Sequence, residues 1–193
     1  MTQKISSGAT PRDSANRFRR AMPTILLMLA CAAPFAALGL PLNLYSVPDS
    51  LVNDRNETVH LSDWRGKPLI LTMEHSNCRF SCSVTFSKLK SIQTLADQKN
   101  IKIDFMIISV DPRNDTPAAW RQYRKSRDVE RNNWHLLTGS EAATKVIANL
   151  LGIKYWYMDE HVFHDFKILR LNAQGQVVKE ITDYSDEPGP MLQ

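Results

Sequence analysis

Apolar runs of strand length alternate with segments of helical periodicity through most of this chain. The runs 68–73 and 103–110 are almost continuously apolar, which is typical of strands buried on both faces of a sheet. Between them, an apolar stripe recurs at helical spacing, formed by Cys82, Phe86, Leu89, Ile92 and Ala96. This part of the chain therefore predicts a strand, a loop, a helix that begins near Cys82, and a second strand.

Capping residues mark two further helices. Thr116 followed by Pro117 predicts a helix that runs to about residue 127. Ser140 predicts the start of another helix and Gly152 its end. Shorter strands are expected at 58–61, 134–137, 168–171 and 177–181, with the last two joined as a hairpin. The alternation predicts an α/β fold of three layers, with a central mixed sheet and helices on both of its faces.

The N-terminal part has the pattern of a signal peptide or a transmembrane anchor. A basic segment, residues 1–20, precedes the apolar stretch 21–42, which is about long enough to cross a bilayer as a helix of ~20 residues. Basic residues before the apolar stretch keep the N-terminus in the cytoplasm, so the rest is expected at the periplasmic face of the inner membrane. Whether this segment is cleaved stays open. The folded domain is expected at 46–182, followed by a C-terminal tail at 183–193.

The positive charge of the chain indicates its orientation in the membrane and not a nucleic-acid partner. The net charge is +4 at pH 7, but residues 1–44 contain five basic residues and one acidic residue. The remainder contains 19 basic and 19 acidic residues. A neutral domain has no general attraction for phosphate backbones, so nucleic-acid binding is not expected.

Two cysteines carry the candidate chemistry. Cys31 lies in the apolar stretch, where it is interpreted as a small apolar residue. Cys78 and Cys82 are four residues apart, a spacing that puts two side chains on one face of a helix. A disulfide closing so short a loop adds little stability, whereas a helix N-terminus favours thiolates, and two thiolates are preferred ligands of soft Cu(I). The pair is therefore expected either to bind a soft metal ion or to cycle between dithiol and disulfide.

A third ligand would complete such a metal site, and histidine is a common one. His60 and His135 lie in predicted strands and are more often structural. His75 is three residues before Cys78, and His161 and His164 lie in an expected loop before the terminal hairpin. The residues alone leave His75, His161 and His164 open as candidates.

Several motifs occur together in this chain. They are LSDWRGKP at 61–68, the Cys-x-x-x-Cys loop after an apolar strand, SVDPRNDTP at 109–117, LTG at 137–139, and a histidine eleven residues before the hairpin glycine Gly175. In this combination, residues 47–181 resemble the Sco/SenC family. The resemblance implies a thioredoxin-like fold and a membrane-tethered chaperone that supplies copper to cytochrome c oxidase.

On this resemblance, Cys78, Cys82 and His164 would bind copper, as Cu(I) or Cu(II), with His161 as the substitute for His164. The implied partners are a cytochrome c oxidase subunit or another cuproprotein, and a copper donor or a thiol reductant protein. A periplasmic thiol-disulfide oxidoreductase, with Cys78 and Cys82 as its redox pair, is the alternative function. The chain departs from the family at Arg79 and Ser83, where the family has proline after each cysteine.

Overall fold

The computed structural model describes residues 43–77 and 82–193, apart from the side chains of Cys82 and Ser83. The predicted signal or anchor segment and Cys78 lie outside the described residues. The described part contains no helix that is both long enough and apolar enough to span a membrane.

Nine strands and three α-helices make up the described part of the chain. The strands are β1 (Ser50–Asn53), β2 (Thr58–His60), β3 (Leu69–Glu74), β4 (Asp104–Ser109), β5 (Trp134–Thr138), β6 (Tyr155–Met158), β7 (His161–His164), β8 (Ile168–Leu171) and β9 (Val177–Ile181). The helices are α1 (Cys82–Gln98), α2 (Pro117–Ser126) and α3 (Glu141–Leu151). Short 3-10 helices lie at Leu44–Ser46, Leu61–Trp64 and Gly189–Leu192.

The central sheet has seven strands in the order β2-β1-β5-β4-β3-β8-β9. Strands β3, β4 and β5 are parallel to one another, and the other pairs are antiparallel. The parallel centre follows from the connections, because α1 crosses from β3 to β4 and α2 from β4 to β5. The sheet is mixed, as the sequence predicts.

Two apolar cores lie on opposite faces of this sheet. Every residue of β3 is buried, and its side chains alternate between the faces. Ile70 packs in one core with α1 and α2, through Phe86 and Trp120 among others. Leu71 packs in the other core with α3, through Ile147. Helices therefore cover both faces, and the predicted three-layer arrangement is confirmed.

The predicted capping residues have the expected geometry. The Thr116 side chain accepts a hydrogen bond from the Ala119 amide at the start of α2, and Pro117 is the first helical residue. The Ser140 side chain accepts from the Ala143 amide, and Gly152 ends α3 in the left-handed conformation. These local signals made both helices predictable.

The terminal hairpin is also confirmed, and Gly175 shows why its turn needs glycine. Gly175 has φ +78°, and a Cβ placed there would lie 2.6 Å from Asn43 Oδ1 and 2.6 Å from Tyr45 Cδ2. The Leu44 amide donates a hydrogen bond to the Gly175 carbonyl at 3.0 Å. The turn thus packs directly on residues 43–45.

The last residues of the chain contribute to the core. Met191 and Leu192, in the final 3-10 helix, are buried in the same core as α1. The segment 183–193, set apart in the sequence as a tail, packs against the domain.

One expectation about the loops is wrong. His161 and His164 lie in strand β7, which pairs with β6 as a separate two-stranded antiparallel ribbon, and not in a loop. Most side chains of this ribbon are exposed, so the buried pattern that reveals a strand in sequence is missing.

Candidate functional site

The cysteine loop connects the carboxyl end of β3 to α1. Glu74 is the last residue of β3, and Cys82 is the first residue of α1. Cys78 lies outside the described residues, and the side chain of Cys82 does too. The assignment of both cysteines to a site therefore stays a prediction. The loop does lie where α/β sheets bind ligands, at the carboxyl end of a central parallel strand.

A buried carboxylate holds the start of this loop. The Ser76 amide donates a hydrogen bond to Asp115 Oδ1 at 2.8 Å, and the Ser109 hydroxyl donates to Asp115 Oδ2. Asp115 is completely buried, and burial raises its pKa to about 6, although the hydrogen bonds from Ser109 and Ser76 oppose the shift. The SVDPRNDTP motif thus anchors the loop that carries the cysteines.

His164 ends β7 against the last residue of β3. Its Nε2 lies 3.4 Å from Glu74 Oε2, and the His164 and Glu74 side chains are only 6% and 1% exposed. Its Nδ1 lies 2.9 Å from the Asp165 carbonyl oxygen. Because a carbonyl can only accept, Nδ1 carries a proton, and in the neutral ring the lone pair is on Nε2. Nε2 is buried and makes no hydrogen bond of regular geometry to a described residue.

The electrostatic surroundings favour a proton on His164. Burial lowers the pKa of its imidazole, but the Glu74 carboxylate and, to a smaller degree, Asp165 outweigh burial. The net pKa is raised above the ordinary value. His164 is therefore a basic imidazole that is paired with a carboxylate.

A second imidazole lies beside His164. The ring centroids of His75 and His164 are 5.9 Å apart, with the rings at 87° to one another. Burial lowers the pKa of His75, and the neighbouring His164 lowers it further. His75 thus lines the same site as the more weakly basic histidine.

His161 lies on the other face of the ribbon. His161 and His164 are three residues apart in one strand, so their side chains leave opposite faces. His161 is exposed, whereas His164 faces Glu74. Of the two histidines that the resemblance offered, His164 is the one placed beside the cysteine loop.

The remaining histidines lie elsewhere. His135 packs on the Trp64 ring at 4.9 Å and lies 3.6 Å from Asp104, the first residue of β4 and hence at the opposite end of the sheet. His60 is in the outermost strand β2, separated from β3 by three strands.

The ribbon is tied to the site by a residue that sequence reasoning missed. The Tyr157 hydroxyl lies 3.2 Å from the Val110 carbonyl oxygen and 3.3 Å from Asp111 Oδ1. Burial and then Asp111 raise the pKa of Tyr157 to about 12. Arg113 lies over the Tyr157 ring at 5.3 Å. The Tyr157 contacts thus hold the ribbon that contains His164 against the SVDPRNDTP segment.

Glu74 and Asp115 were also missed as site residues. Glu74 ends an apolar run, where a charged residue usually marks the solvated end of a strand, but here its side chain is only 1% exposed. Among the described residues, no group of three or more His, Cys, Asp or Glu side chains is placed to hold a metal ion.

The fold is that of a thioredoxin-like α/β protein, and the segment with the Cys-x-x-x-Cys motif follows β3. The sequence profile of the SCO1/SenC family matches residues 43–193, and the chain belongs to this family.

Individual relatives are distant in sequence. A SCO2-like protein of Rickettsia prowazekii is 24% identical over 141 residues, which cover 68% of this chain and 65% of that protein. The chain thus spans somewhat less than two thirds of this relative's length.

Solved structures share the fold. Arabidopsis thaliana ScoI with copper bound matches with a TM-score of 0.65 at 23% identity, covering 75% of this chain and 90% of that chain. BsSco, a Sco-family cytochrome c oxidase assembly protein with a disulfide switch, matches with a TM-score of 0.66 at 22% identity, covering 78% and 93%.

Proposed function

We propose that this chain is a copper-binding chaperone for cytochrome c oxidase, and that Cys78, Cys82 and His164 bind the copper. The observation that carries the proposal is the buried Nε2 of His164 beside the cysteine loop. Its lone pair is made available by the contact between Nδ1 and the Asp165 carbonyl at 2.9 Å. Metal-binding histidines are commonly oriented in this way, through the ring nitrogen that does not bind the metal.

The donor set suits copper. Two thiolates and one imidazole are soft and borderline ligands, which Cu(I) accepts and which Ca²⁺ and Mg²⁺ do not prefer. Copper would arrive as cargo, since a chaperone must release the metal again. A site on a loop and on a ribbon that is only partly buried is compatible with such exchange.

Glu74 gives this site a second state. Without copper, the imidazole of His164 pairs with the Glu74 carboxylate across 3.4 Å. To bind copper, Nε2 must lose any proton it carries and leave this contact, because only the neutral ring has a lone pair to offer. Loss of copper restores the pair. Glu74 thus holds His164 in the position proposed for copper binding while the site contains no copper.

The proposed client is the copper centre of a cytochrome c oxidase subunit, or that of another cuproprotein. The copper-bound Arabidopsis relative and the role of BsSco in oxidase assembly support this assignment. We further propose that the domain works at the periplasmic face of the inner membrane, exported or anchored by residues 21–42. A copper donor would reload it there, and a thiol reductant protein would return an oxidised cysteine pair to the dithiol.

Copper binding is tested by anaerobic titration of the reduced chain with Cu(I), with thiol alkylation before and after. The proposal expects one copper that protects both Cys78 and Cys82 from alkylation. Alkylation that is unaffected by copper would contradict it. The Cys78→Ser and Cys82→Ser variants serve as single-ligand controls, each expected to lose the protection of the remaining thiol of the pair.

Delivery is tested in a bacterium that lacks its own Sco protein. Expression of the chain should restore cytochrome c oxidase activity, and the Cys78→Ser variant should not. An oxidase restored equally by both would contradict copper delivery through this pair.

The alternative is a thiol-disulfide oxidoreductase that uses Cys78 and Cys82. The disulfide switch of BsSco, which shares this fold, supports this alternative. One thiolate would attack a substrate disulfide and the second would resolve the mixed disulfide, so the pair is oxidised as the substrate is reduced. This reaction does not need His164. Insulin reduction that persists in His164→Ala, without thiol protection by copper in the unaltered chain, would favour the oxidoreductase.

A further inference from the structure

The β6–β7 ribbon has two chemically different faces. In its register, Met158 pairs with His161, Tyr157 with Val162, and Trp156 with Phe163. Cross-strand partners share a face and successive residues alternate between faces. Tyr157 and Val162 therefore face the domain, whereas Met158, His161, Trp156 and Phe163 form the outer face.

The outer face exposes groups that usually lie in a core. Met158 is 57% exposed, Trp156 50% and Phe163 39%. The other methionines of the described chain, Met73, Met106 and Met191, are each 1% exposed. Packing within the domain therefore does not account for Met158 at the tip of the ribbon.

Met158 and His161 together offer a soft donor pair. Directly opposed residues in an antiparallel ribbon have Cβ atoms about 5 Å apart, so a thioether and an imidazole can reach one ion between them. The unbranched methionine side chain adapts readily to such a position. Thioether and imidazole are ligands for copper, whereas Ca²⁺ and Mg²⁺ require several oxygen ligands and structural Zn²⁺ sites use four ligands drawn from cysteine, histidine and carboxylates, without a thioether.

The surroundings of this pair favour a cation. Asp159 and Glu160 form the turn between Met158 and His161, and their exposed carboxylates raise the local concentration of cations. On the same face, the Trp156 and Phe163 rings stack with centroids 5.8 Å apart and planes at 13°. Aromatic faces of this kind attract cations held near them.

We propose that Met158 and His161 form a second, surface-exposed Cu(I) site, at which copper first binds before it reaches the inner site. The surface site requires only the Met158 and His161 donors. Its role in loading the inner site rests on the proposed copper function of Cys78, Cys82 and His164. Each site takes one histidine from the same short strand, since β7 begins at His161 and ends at His164. The His75 ring, next to His164, provides a further imidazole at the inner end.

The surface site is tested apart from the cysteines. A full-length chain with Cys31, Cys78 and Cys82 all replaced by serine is titrated anaerobically with Cu(I) against a chromogenic Cu(I) chelator. We expect this chain to bind Cu(I), and Met158→Leu or His161→Gln in the same background to weaken binding by roughly tenfold or more. His60→Gln, which removes an exposed histidine from the distant strand β2, is the matched control and should have no effect.

Tryptophan fluorescence gives a local readout. Trp156 is exposed, whereas Trp64, Trp120 and Trp134 are buried. Cu(I) bound at the ribbon should therefore change the fluorescence emitted by the exposed tryptophan. This change should disappear in Met158→Leu. A serine background that binds no Cu(I), or one whose affinity is the same with Leu at 158, would overturn the surface site.

The loading role is tested in the chain with its cysteines intact. Met158→Leu should slow the rate at which Cu(I) from the chelator protects Cys78 and Cys82, by several-fold, and leave the final protection unchanged. An unchanged rate would overturn the loading role. If the cysteines are never protected, the proposed inner site is wrong, and the titration in the serine background still decides on the surface site.

Discussion

The imidazole of His164 lies 3.4 Å from the carboxylate of Glu74, which joins the end of β7 to the end of β3. Both side chains are almost fully buried, so the contact is made in a medium where charges interact more strongly than in water. It fixes the end of the ribbon at the carboxyl end of β3 and positions the proposed third copper ligand before any metal arrives.

Replacing the carboxylate should change the titration of His164. Because Glu74 opposes the effect of burial, we expect Glu74→Gln to lower the pKa of His164 below its ordinary value. NMR titration of the imidazole resonances in the copper-free protein measures this. Glu160→Gln removes the same charge from the exposed turn of the ribbon and should leave the His164 titration unchanged. The same midpoint in Glu74→Gln and in the unaltered chain would show that the pair does not set the basicity of His164.

Asp115 should make stability depend on pH in an uncommon direction. Its folded-state pKa is raised from 3.8 to about 6, so the fold favours the protonated carboxyl. This contribution is fully present below the unfolded-state pKa and is lost as the pH rises through the folded-state pKa. Between pH 4 and pH 7 the free energy of unfolding should therefore fall by on the order of 2–3 kcal/mol from this group.

The Asp115→Asn variant isolates that contribution. Asparagine keeps the shape and does not ionise, so the difference in unfolding free energy between the two chains should shift in favour of Asn from pH 4 to pH 7. Urea unfolding at the two pH values measures the difference. The same difference in unfolding free energy at pH 4 and at pH 7 would show that Asp115 does not have a raised pKa.

Gly175 should tolerate no side chain. Gly175→Ala combines a positive φ with a clash against Asn43 and Tyr45, and we expect it to destabilise the fold by roughly 2 kcal/mol or more. Two glycines provide matched controls. Gly66 also has a positive φ, but a Cβ added there would meet no atom within 4 Å. Gly189 has neither a positive φ nor an atom within 4 Å of an added Cβ. Equal costs at 175 and 66 would show that the close approach to Tyr45 contributes nothing.

The Tyr157 hydroxyl should hold the ribbon on the domain. Tyr157→Phe removes its contacts with Val110 and Asp111, a loss of about 0.5–1.5 kcal/mol for one hydrogen bond. Amide hydrogen exchange in β6 and β7 should become faster, while exchange in β3 stays the same. Tyr155→Phe, the same deletion two residues earlier on the strand, is the control. Unchanged exchange in Tyr157→Phe would mean that other contacts hold the ribbon.

The central sheet and its helices were predictable because their signals are local. The buried run at β3, the apolar stripe of α1 and the capping residues Thr116 and Ser140 each identify an element without reference to the rest of the chain. The β6–β7 ribbon was not predictable in this way. Of its side chains only those of Val162 and His164 are buried, so neither a regular apolar alternation nor a continuous apolar run appears.

The site was predictable only in part. The cysteine spacing indicated soft-metal or redox chemistry, but the choice of His164 came from the family resemblance. The roles of Glu74 and Asp115 depend on contacts with residues far away in sequence, Glu74 with His164 and Asp115 with Ser76. Propensity and spacing carry no information on such contacts.

The most direct measurement of the central claim is the Cu(I) affinity of the site that protects Cys78 and Cys82, compared between His164→Ala and His161→Ala. The reduced chains are titrated anaerobically against a Cu(I) chelator, with alkylation of the cysteine pair as the readout. We expect His164→Ala to weaken the protecting copper by at least roughly tenfold and His161→Ala to leave its affinity unchanged. Full affinity in His164→Ala, or a loss confined to His161→Ala, would contradict the account.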